Sequence, residues 1–316
     1  MYHPYFRGKQ YELIAIRESA DVLANADFTP IIEPVREQKA GLKKALDSIR
    51  EANGSAIVIA NPQIGDLTES GESVVSFIKD EYKADDSIRF GLIITDGQTL
   101  KQVKSEFNDF GDFPKDLIHF GFNDPRSLSD YAVKESVSVH VFPEGYSGKL
   151  YQRNFKKKGS RILLRDGFEQ RRNRDHPDAA EFFSDLHVTF DEEGMDGFGD
   201  YLIVGDEYRE GGGPAYTIAI HLTFIDSQKD DAMFIQHFKS DRQDTPKDPA
   251  GKFAEALAKL VSDLDGGSSQ FYETSSIKEF RHLHNTGHYP GLGYVKKLSM
   301  KHHIETMARY FQETNS

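Results

Sequence analysis

Charged side chains end the first two apolar runs of the sequence, and their types suit the binding of an anion or of a divalent metal ion. Arg7 and Lys9 follow the apolar residues 4–6, and Glu33 stands inside the apolar run IIEPV. A guanidinium or ammonium group can hold a phosphate or carboxylate through charge-assisted hydrogen bonds. An interior glutamate beside Arg7, Lys9 or Arg165 would be a paired buried charge, which is costly to keep without a purpose. The question is therefore whether these groups share one site.

Each later apolar run is also followed by polar or charged residues. The candidates for ligand binding are Arg7, Lys9, Arg36, Asn61, Asn123, Arg165 and Glu207. The catalytic candidates are Glu33, Asp96, Glu144 and Asp206. The alternative is that most of these charges are solvated or locally paired, because the loops that follow strands are polar in most proteins.

The four catalytic candidates also suggest a second kind of site, which would hold a divalent cation. Carboxylate oxygens are hard ligands that suit Mg²⁺ or Mn²⁺. The four carboxylates match no recognised ligand spacing, so the sequence assigns no metal and leaves the cofactor unknown.

The candidates can meet only if the elements that carry them end at a common face. Eight short apolar runs alternate with helical patterns, at residues 3–6, 30–35, 56–60, 89–95, 117–122, 138–142, 161–165 and 201–205. This alternation is typical of a parallel sheet that is buried on both faces. It predicts an α/β fold, a (β/α)8 TIM-barrel-like domain, in which functional groups gather at the C-terminal ends of the strands. We call that face, with the loops that follow the strands, the barrel mouth.

An open doubly wound sheet is the main alternative fold, but neither nucleotide-binding glycine motif is present to support it. After the eighth predicted strand, the runs around 216–225 and 232–240 predict a β-hairpin inserted at about residues 214–240. A closing helix and a helical C-terminal extension over about 250–316 complete a single predicted domain of residues 1–316, with barrel strands at about 3–206.

Histidines occur both in this hairpin and in the tail. His221 and His237 fall in mid-strand, either as a cross-strand pair or as half-buried residues. The tail histidines lack the spacing of a zinc motif and are expected on polar helix faces; they are His282, His284, His288, His302 and His303.

The cysteine count and the net charge exclude several kinds of site and disfavour several kinds of partner. The chain has 316 residues, no cysteine and a formal net charge of -12. The missing thiols exclude disulfides, cysteine-ligated metals and a thiol nucleophile. The acidic balance disfavours direct nucleic-acid or membrane binding, and the basic segment 165–175 is largely balanced by its own acidic residues. With no apolar signal core and no apolar run of membrane-spanning length, the sequence predicts a soluble, cytoplasmic protein.

The opening PYFRGKQYE, a following helix and then TPIIEPV resemble the start of the bacteriophage beta-protein family. The stretches YLIVGDEY, GGPAY, AIHLTF and HHIE resemble a bacterial subgroup of that family, so the likeness covers essentially the whole chain. The resemblance implies a barrel-like fold and no established activity. It also implies a phage-defence or mobile-element locus with a protein partner encoded by a neighbouring gene.

Two functions remain open at this point, and with them the question of whether the protein is an enzyme. In the first, the barrel mouth binds a phosphorylated or nucleotide-like anionic ligand and hydrolyses it. In the second, the protein is a non-catalytic immunity or regulatory partner of a toxin or nuclease. A specific geometric expectation accompanies the first function: Arg7 or Lys9 approaches Glu33, while Glu12 pairs with a cation or caps the first helix.

Overall fold

A computed structural model describes residues 2–68, 70–83, 85–211 and 213–314. The chain divides into two compact units. The barrel unit comprises Met1–Asp166 and Thr189–Tyr201, and the C-terminal unit comprises Gly167–Val188 and Leu202–Ser316. Each unit is described by itself, and the single domain expected from the sequence stays a prediction.

The described residues form short strands and mostly amphipathic helices. The strands are β1 (Tyr5–Phe6), β2 (Ile31–Ile32), β3 (Ala56–Ile59), β4 (Ile88–Thr95), β5 (Lys115–Phe120), β6 (Val139–Pro143), β7 (Ser160–Leu164), β8 (Glu181–Ser184), β9 (Gly197–Gly199), β10 (Ala219–Asp226) and β11 (Ala232–Lys239). The helices are α1 (Gln10–Glu18), α2 (Ala20–Asn25), α3 (Ala40–Glu51), α4 (Gly71–Glu81), α5 (Leu100–Phe110), α6 (Pro125–Lys134), α7 (Lys149–Gln152), α8 (Leu186–Thr189), α9 (Pro249–Asp265), α10 (Ser275–Thr286) and α11 (Leu292–Thr314). None of these described helices has the length and apolar character that a membrane-spanning segment needs.

The barrel unit contains an eight-stranded parallel sheet, which confirms the predicted (β/α)8 TIM-barrel-like fold. Its strand order is β1-β2-β3-β4-β5-β6-β7-β9. Buried side chains fill the interior, among them Tyr5, Ile31, Ile93 and Tyr201. Gly91 belongs to this packing, since a Cβ atom there would come within 2.9 Å of the Ile57, Ile59 and Ile118 side chains. The interior is therefore a packed core, as expected for a barrel of this size.

The eighth barrel strand is not where the sequence analysis expected it. Residues 201–205 form a turn, and β9 instead pairs in parallel with β7. The first residues of the chain close the other edge of β9, because the His3 N–H donates to the Phe198 carbonyl at 2.8 Å. Gly199 permits this close approach, since a Cβ atom there would collide with the His3 carbonyl oxygen. A Gly-Phe-Gly strand offers only one apolar side chain, so hydrophobic patterning overlooks it.

The C-terminal unit contains a three-stranded antiparallel sheet in the order β10-β11-β8. The predicted hairpin is confirmed, and its register places His221 opposite His237 as a cross-strand pair. Strand β8, which the sequence analysis missed, adds the third strand. Apolar side chains from β10, α9, α10 and α11 form the core of this unit, and Leu222, Leu257 and Phe280 are among them.

His302 and His303 correct the expectation that the tail histidines lie on polar helix faces. Both side chains are fully buried on α11. A ring nitrogen of His302 lies 2.8 Å from the Thr274 hydroxyl, and a ring nitrogen of His303 lies 2.9 Å from the Thr223 hydroxyl. Buried imidazoles need such partners, so these two residues join α11 to the rest of the unit. His282, His284 and His288 are exposed, as expected.

Candidate functional site at the barrel mouth

Glu33 anchors a cluster of polar contacts at the mouth. It follows β2 in register with the inward-facing Ile31, so the two-residue period of the strand directs its side chain inward. The residue is only 4 % exposed. The Tyr5 hydroxyl donates a hydrogen bond to Glu33 Oε2 at 2.7 Å, and the Gln63 backbone N–H donates to Oε1 at 2.8 Å. Both carboxylate oxygens are therefore held in place by donors.

Arg7 lies beside this carboxylate. It follows β1 in register with Tyr5, and its guanidinium stands over the Tyr201 ring with 5.1 Å between the guanidinium carbon and the ring centroid. The Tyr5 and Tyr201 rings are themselves in contact, with 5.1 Å between their centroids. Glu12 accepts a hydrogen bond of 2.6 Å from the Arg7 backbone N–H. Glu12 thus fixes the connection between β1 and α1.

Opposing effects act on the pKa of Glu33. Burial raises it above the ordinary value, while the hydrogen bonds from Gln63 and Tyr5 and the nearby charge of Arg7 lower it. The net direction is upward, so this carboxyl holds its proton to a higher pH than an exposed glutamate does. Burial and the neighbouring Glu33 raise the pKa of Tyr5 well above its usual range, so Tyr5 acts here as a neutral donor.

Other cations predicted at the mouth are engaged by carboxylates. Arg165 Nε lies 2.9 Å from Glu144 Oε1, and the Arg165 guanidinium lies 3.6 Å from Glu193. Lys149 also contacts Glu193. These four side chains form a chain of alternating charge. Arg36 forms a separate, exposed ion pair of 3.4 Å with an aspartate, Asp66.

Two predicted amides make hydrogen bonds to the backbone. The Asn61 side chain bonds both backbone groups of Ile93, donating to its carbonyl at 2.8 Å and accepting from its N–H at 2.9 Å. Asn123 donates to the Asp96 carbonyl at 2.7 Å. Asn61 thereby extends the contact between β3 and β4, and Asn123 joins the loops that follow β4 and β5. These bonds occupy amide groups that the sequence analysis had proposed for a ligand.

Asp206 and Glu207 belong to the C-terminal unit and do not follow a barrel strand, because the eighth strand ends at Gly199. Both are exposed, and Glu207 forms an ion pair of 2.8 Å with Arg209. Lys9 is the half-buried residue immediately before α1. Of the two cations expected near Glu33, Arg7 is close enough for its charge to lower the pKa of that carboxyl.

The carboxylates proposed as Mg²⁺ or Mn²⁺ ligands do not assemble. Glu33 is held by Tyr5 and Gln63, Glu144 pairs with Arg165, and Asp96 is exposed. Among the residues that the structure describes, no three carboxylates bring ligand atoms together. The arrangement at the mouth suits hydrogen bonding and proton transfer better than coordination of a hard cation.

Tyr5, Tyr201 and Gln63 complete the cluster, and the sequence analysis did not select them. The period of two that places Arg7 on the inward face also places Tyr5 there, so that signal was available. Tyr201 and Gln63 lie outside regular strands, and only the folded chain brings them to Glu33 and Arg7. No protein-family model and no curated protein matches this chain. The likeness to the bacteriophage beta-protein family therefore stays a prediction.

Proposed function

We propose that the barrel mouth binds a compact anion, such as the phosphate of a phosphorylated or nucleotide-like ligand, and hydrolyses the bound ligand. The observation that carries the proposal is the cluster of Arg7, Glu33, Tyr5 and Tyr201 at the C-terminal ends of neighbouring strands. It combines a half-buried cation with a buried carboxyl whose pKa is raised by burial, and this chemistry requires two such groups.

Arg7 is the proposed anion-binding residue. A guanidinium offers donors in a planar fork that matches two oxygens of a phosphate or carboxylate. The Arg7 guanidinium stacks on the Tyr201 ring. Because this contact already restricts the Arg7 side chain, Arg7 loses less conformational entropy when it binds an anion. Partial burial increases the energy of the interaction, because charges attract each other more strongly away from water.

Glu33 is the proposed general base. In its ionised form it takes a proton from a water molecule, and the resulting hydroxide attacks the phosphorus of the bound ester. The leaving oxygen departs with the electron pair of the broken P–O bond. The proton held on Glu33 then passes to that oxygen, which restores the carboxylate. Tyr5 and Gln63 keep the carboxylate in one orientation throughout.

Calorimetric titration with inorganic phosphate and with adenosine monophosphate tests the binding step. Losing a charge-assisted hydrogen bond costs about 1.5–3 kcal/mol, so we expect Arg7→Gln to weaken binding by about 10–150-fold. Arg17→Gln is the matched control, because Arg17 is exposed on the last turn of α1. Equal affinities of the wild type and Arg7→Gln, or no binding of either probe, would contradict the proposal.

Hydrolysis is tested separately by phosphate release from a panel of phosphomonoesters and nucleotides. We expect Glu33→Gln to abolish turnover and to leave binding by Arg7 within a few-fold of the wild type. Binding that depends on Arg7, with no turnover of any member of the panel, would restrict the function to ligand binding.

The charge balance favours a second candidate, a non-catalytic partner of a basic toxin or nuclease. The net charge is -12, and the pairs of Arg165 with Glu144 and of Arg36 with Asp66 reduce the positive field around the mouth. Co-expression with the product of the adjacent gene tests this candidate through complex formation and loss of the partner's activity. If Glu33→Gln removes the biological effect while the complex still forms, this candidate is wrong. The link to phage defence rests on the sequence resemblance and stays a prediction.

A further inference from the structure

Three histidines meet in the C-terminal unit. His221 lies on β10, His237 lies opposite it on β11, and His176 comes from the irregular segment before β8. Each ring offers one nitrogen, and the three nitrogens lie within 4.8 Å of one another. The rings of His176 and His237 stack with 4.2 Å between their centroids.

The ring nitrogens of this cluster point at one another. Nδ1 of His221 lies 2.7 Å from Nδ1 of His237, so only one proton can stand between them. His176 is 2 % exposed, and its Nδ1 makes no hydrogen bond among the described residues, although it lies 3.7 Å from Glu181 Oε1. A buried imidazole nitrogen that lacks a hydrogen bond is costly.

A carboxylate outside the cluster orients one of the rings. Glu181 at the start of β8 lies 2.8 Å from His237 Nε2 and accepts two hydrogen bonds of 2.7 Å from Arg171. With its Nε2 proton directed at Glu181, His237 presents the lone pair of Nδ1 to His221. Metal-binding histidines commonly donate their second N–H to a carboxylate in this way.

Charged groups of both signs act on the three rings. Burial lowers the pKa of His176 and of His221, and it lowers the pKa of His237 to about 4. Glu181 opposes this effect at His176 and His237, whereas Arg171, Lys239 and Lys296 add to it.

An open groove of about 840 Å³ lies beside His237, whose side chain is itself fully buried. Four carboxylates line the groove, and two of them are paired with lysines that also line it. The carboxylates in this lining are Asp178, Asp241, Glu255 and Asp263.

We propose that His176, His221 and His237 bind a divalent transition-metal ion, with Zn²⁺ as the best fit. Imidazole nitrogen is a preferred zinc ligand, and three histidines leave the fourth tetrahedral position for water. Zinc–nitrogen bonds of about 2.0–2.1 Å separate two ligand nitrogens by about 3.3 Å. The nitrogens of His221 and His237, now 2.7 Å apart, must therefore separate by about 0.6 Å. The wider separations in the cluster, which reach at most 4.8 Å, must close by up to about 1.5 Å. The Nδ1 proton of His221 transfers to its Nε2 when the ion binds.

The alternative explanation is a metal-free aromatic cluster, since Phe168 packs against the His176 and His221 rings. That alternative does not require that nitrogens from all three rings lie within 4.8 Å of one another. A metal site accounts for this convergence and for the orientation of His237 by Glu181.

Calorimetric titration of the untagged, chelator-treated chain with ZnCl₂ tests the proposal. We expect one Zn²⁺ per chain and no comparable binding of Mg²⁺. Removing a residue that only orients a ligand costs about 10–100-fold in metal affinity, and this is the expected effect of Glu181→Gln. His221→Gln and His237→Gln remove ligands, so each should cost more than about 100-fold. His284→Gln is the matched control on the exposed face of α10, and it should bind as the wild type does.

Co²⁺ added to the wild-type chain gives a second measurement that requires no variant to fold. A tetrahedral site with nitrogen ligands produces intense visible absorption bands, which Zn²⁺ then removes by competition. Circular dichroism of the metal-free variants shows whether each one is folded. Three results would overturn the proposal: no Zn²⁺ binding by the wild type, binding that His221→Gln and His237→Gln leave unchanged, or Co²⁺ spectra without tetrahedral bands.

Discussion

Tyr5→Phe is the sharpest test of the electrostatics at the barrel mouth, because it removes one oxygen atom and keeps the ring. The hydroxyl of Tyr5 donates to Glu33 Oε2 at 2.7 Å in surroundings from which water is excluded. The phenyl ring of the variant can still pack against Tyr201. The change in stability therefore reports on the lost hydrogen bond and on the buried Glu33 carboxylate, which no longer has this donor.

The size of the effect depends on the charge of Glu33. A hydrogen bond to a charged group contributes about 1.5–3 kcal/mol, and one between neutral groups contributes about 0.5–1.5 kcal/mol. Burial raises the pKa of Glu33, and the Tyr5 hydrogen bond holds that pKa down, so Tyr5→Phe raises it further. Above the pKa, the free energy of unfolding should fall by about 2 kcal/mol. Below it, the loss should be about 1 kcal/mol smaller.

Urea unfolding at pH 8 and at pH 4.5, combined with pulsed hydrogen–deuterium exchange and mass spectrometry, provides the measurement. Peptides that contain β1 and β2 report on the barrel unit separately from the C-terminal unit. Tyr146→Phe is the matched control, because the Tyr146 side chain is exposed, and it should change the stability by less than about 0.5 kcal/mol.

The reasoning is refuted if Tyr5→Phe costs no more than the Tyr146 control at pH 8. It is also refuted if the cost of Tyr5→Phe is the same at both pH values. Equal costs would mean that Glu33 does not change its charge between them, or that its charge is not felt by Tyr5.

Three further outcomes are expected. Gly199→Ala should destabilise the barrel unit by about 1–3 kcal/mol in urea unfolding, because its Cβ atom collides with the backbone of His3. Asp116→Asn should cost about 3–5 kcal/mol by the same assay, since it leaves Arg89 without the carboxylate that two hydrogen bonds of 2.6 Å now join to it. The lowered pKa of His237 means that the unfolded chain binds more protons between pH 6.5 and about 4, so metal-free stability should fall as the pH decreases through that range. His237→Gln should reduce this pH dependence, and an unchanged dependence would contradict the assigned pKa.

Strand patterning predicted the barrel because the interior of a parallel sheet selects strongly for apolar runs. Ile57, Ile93 and Ile118 sit in such runs and fill the interior. The same period of two carries Arg7 and Glu33 inward from β1 and β2, so their proximity followed from the fold. The eighth strand was missed because it has a single apolar side chain, and its Gly199 is needed for close backbone contact with His3.

The partners of the polar side chains could not be predicted from the sequence, because these contacts join residues that are far apart in the chain. Asn61 looked like a ligand-binding amide, but its two hydrogen bonds go to the backbone of Ile93. The sequence left His221 and His237 as either a cross-strand pair or half-buried residues, and the register of the hairpin makes them a pair. The third ring, His176, lies in an irregular segment whose course no local pattern specifies. A cluster of this kind is recognised only once the tertiary fold brings those segments together.

The contact between residues 2–5 and β9, which closes the barrel, can form only late in the synthesis of the chain. Tyr2 and Asp200 are hydrogen-bonded partners 198 positions apart, so the first strand cannot find its last neighbour until β9 has been synthesised. Translation proceeds at about 5–20 residues per second, so residues 2–5 wait for about 10–40 s before β9 is synthesised. During that interval the backbone of residues 2–5 is an unpaired strand edge, which can pair with another nascent chain. The timing of synthesis, as well as the final packing, therefore determines how much of the protein reaches a closed barrel.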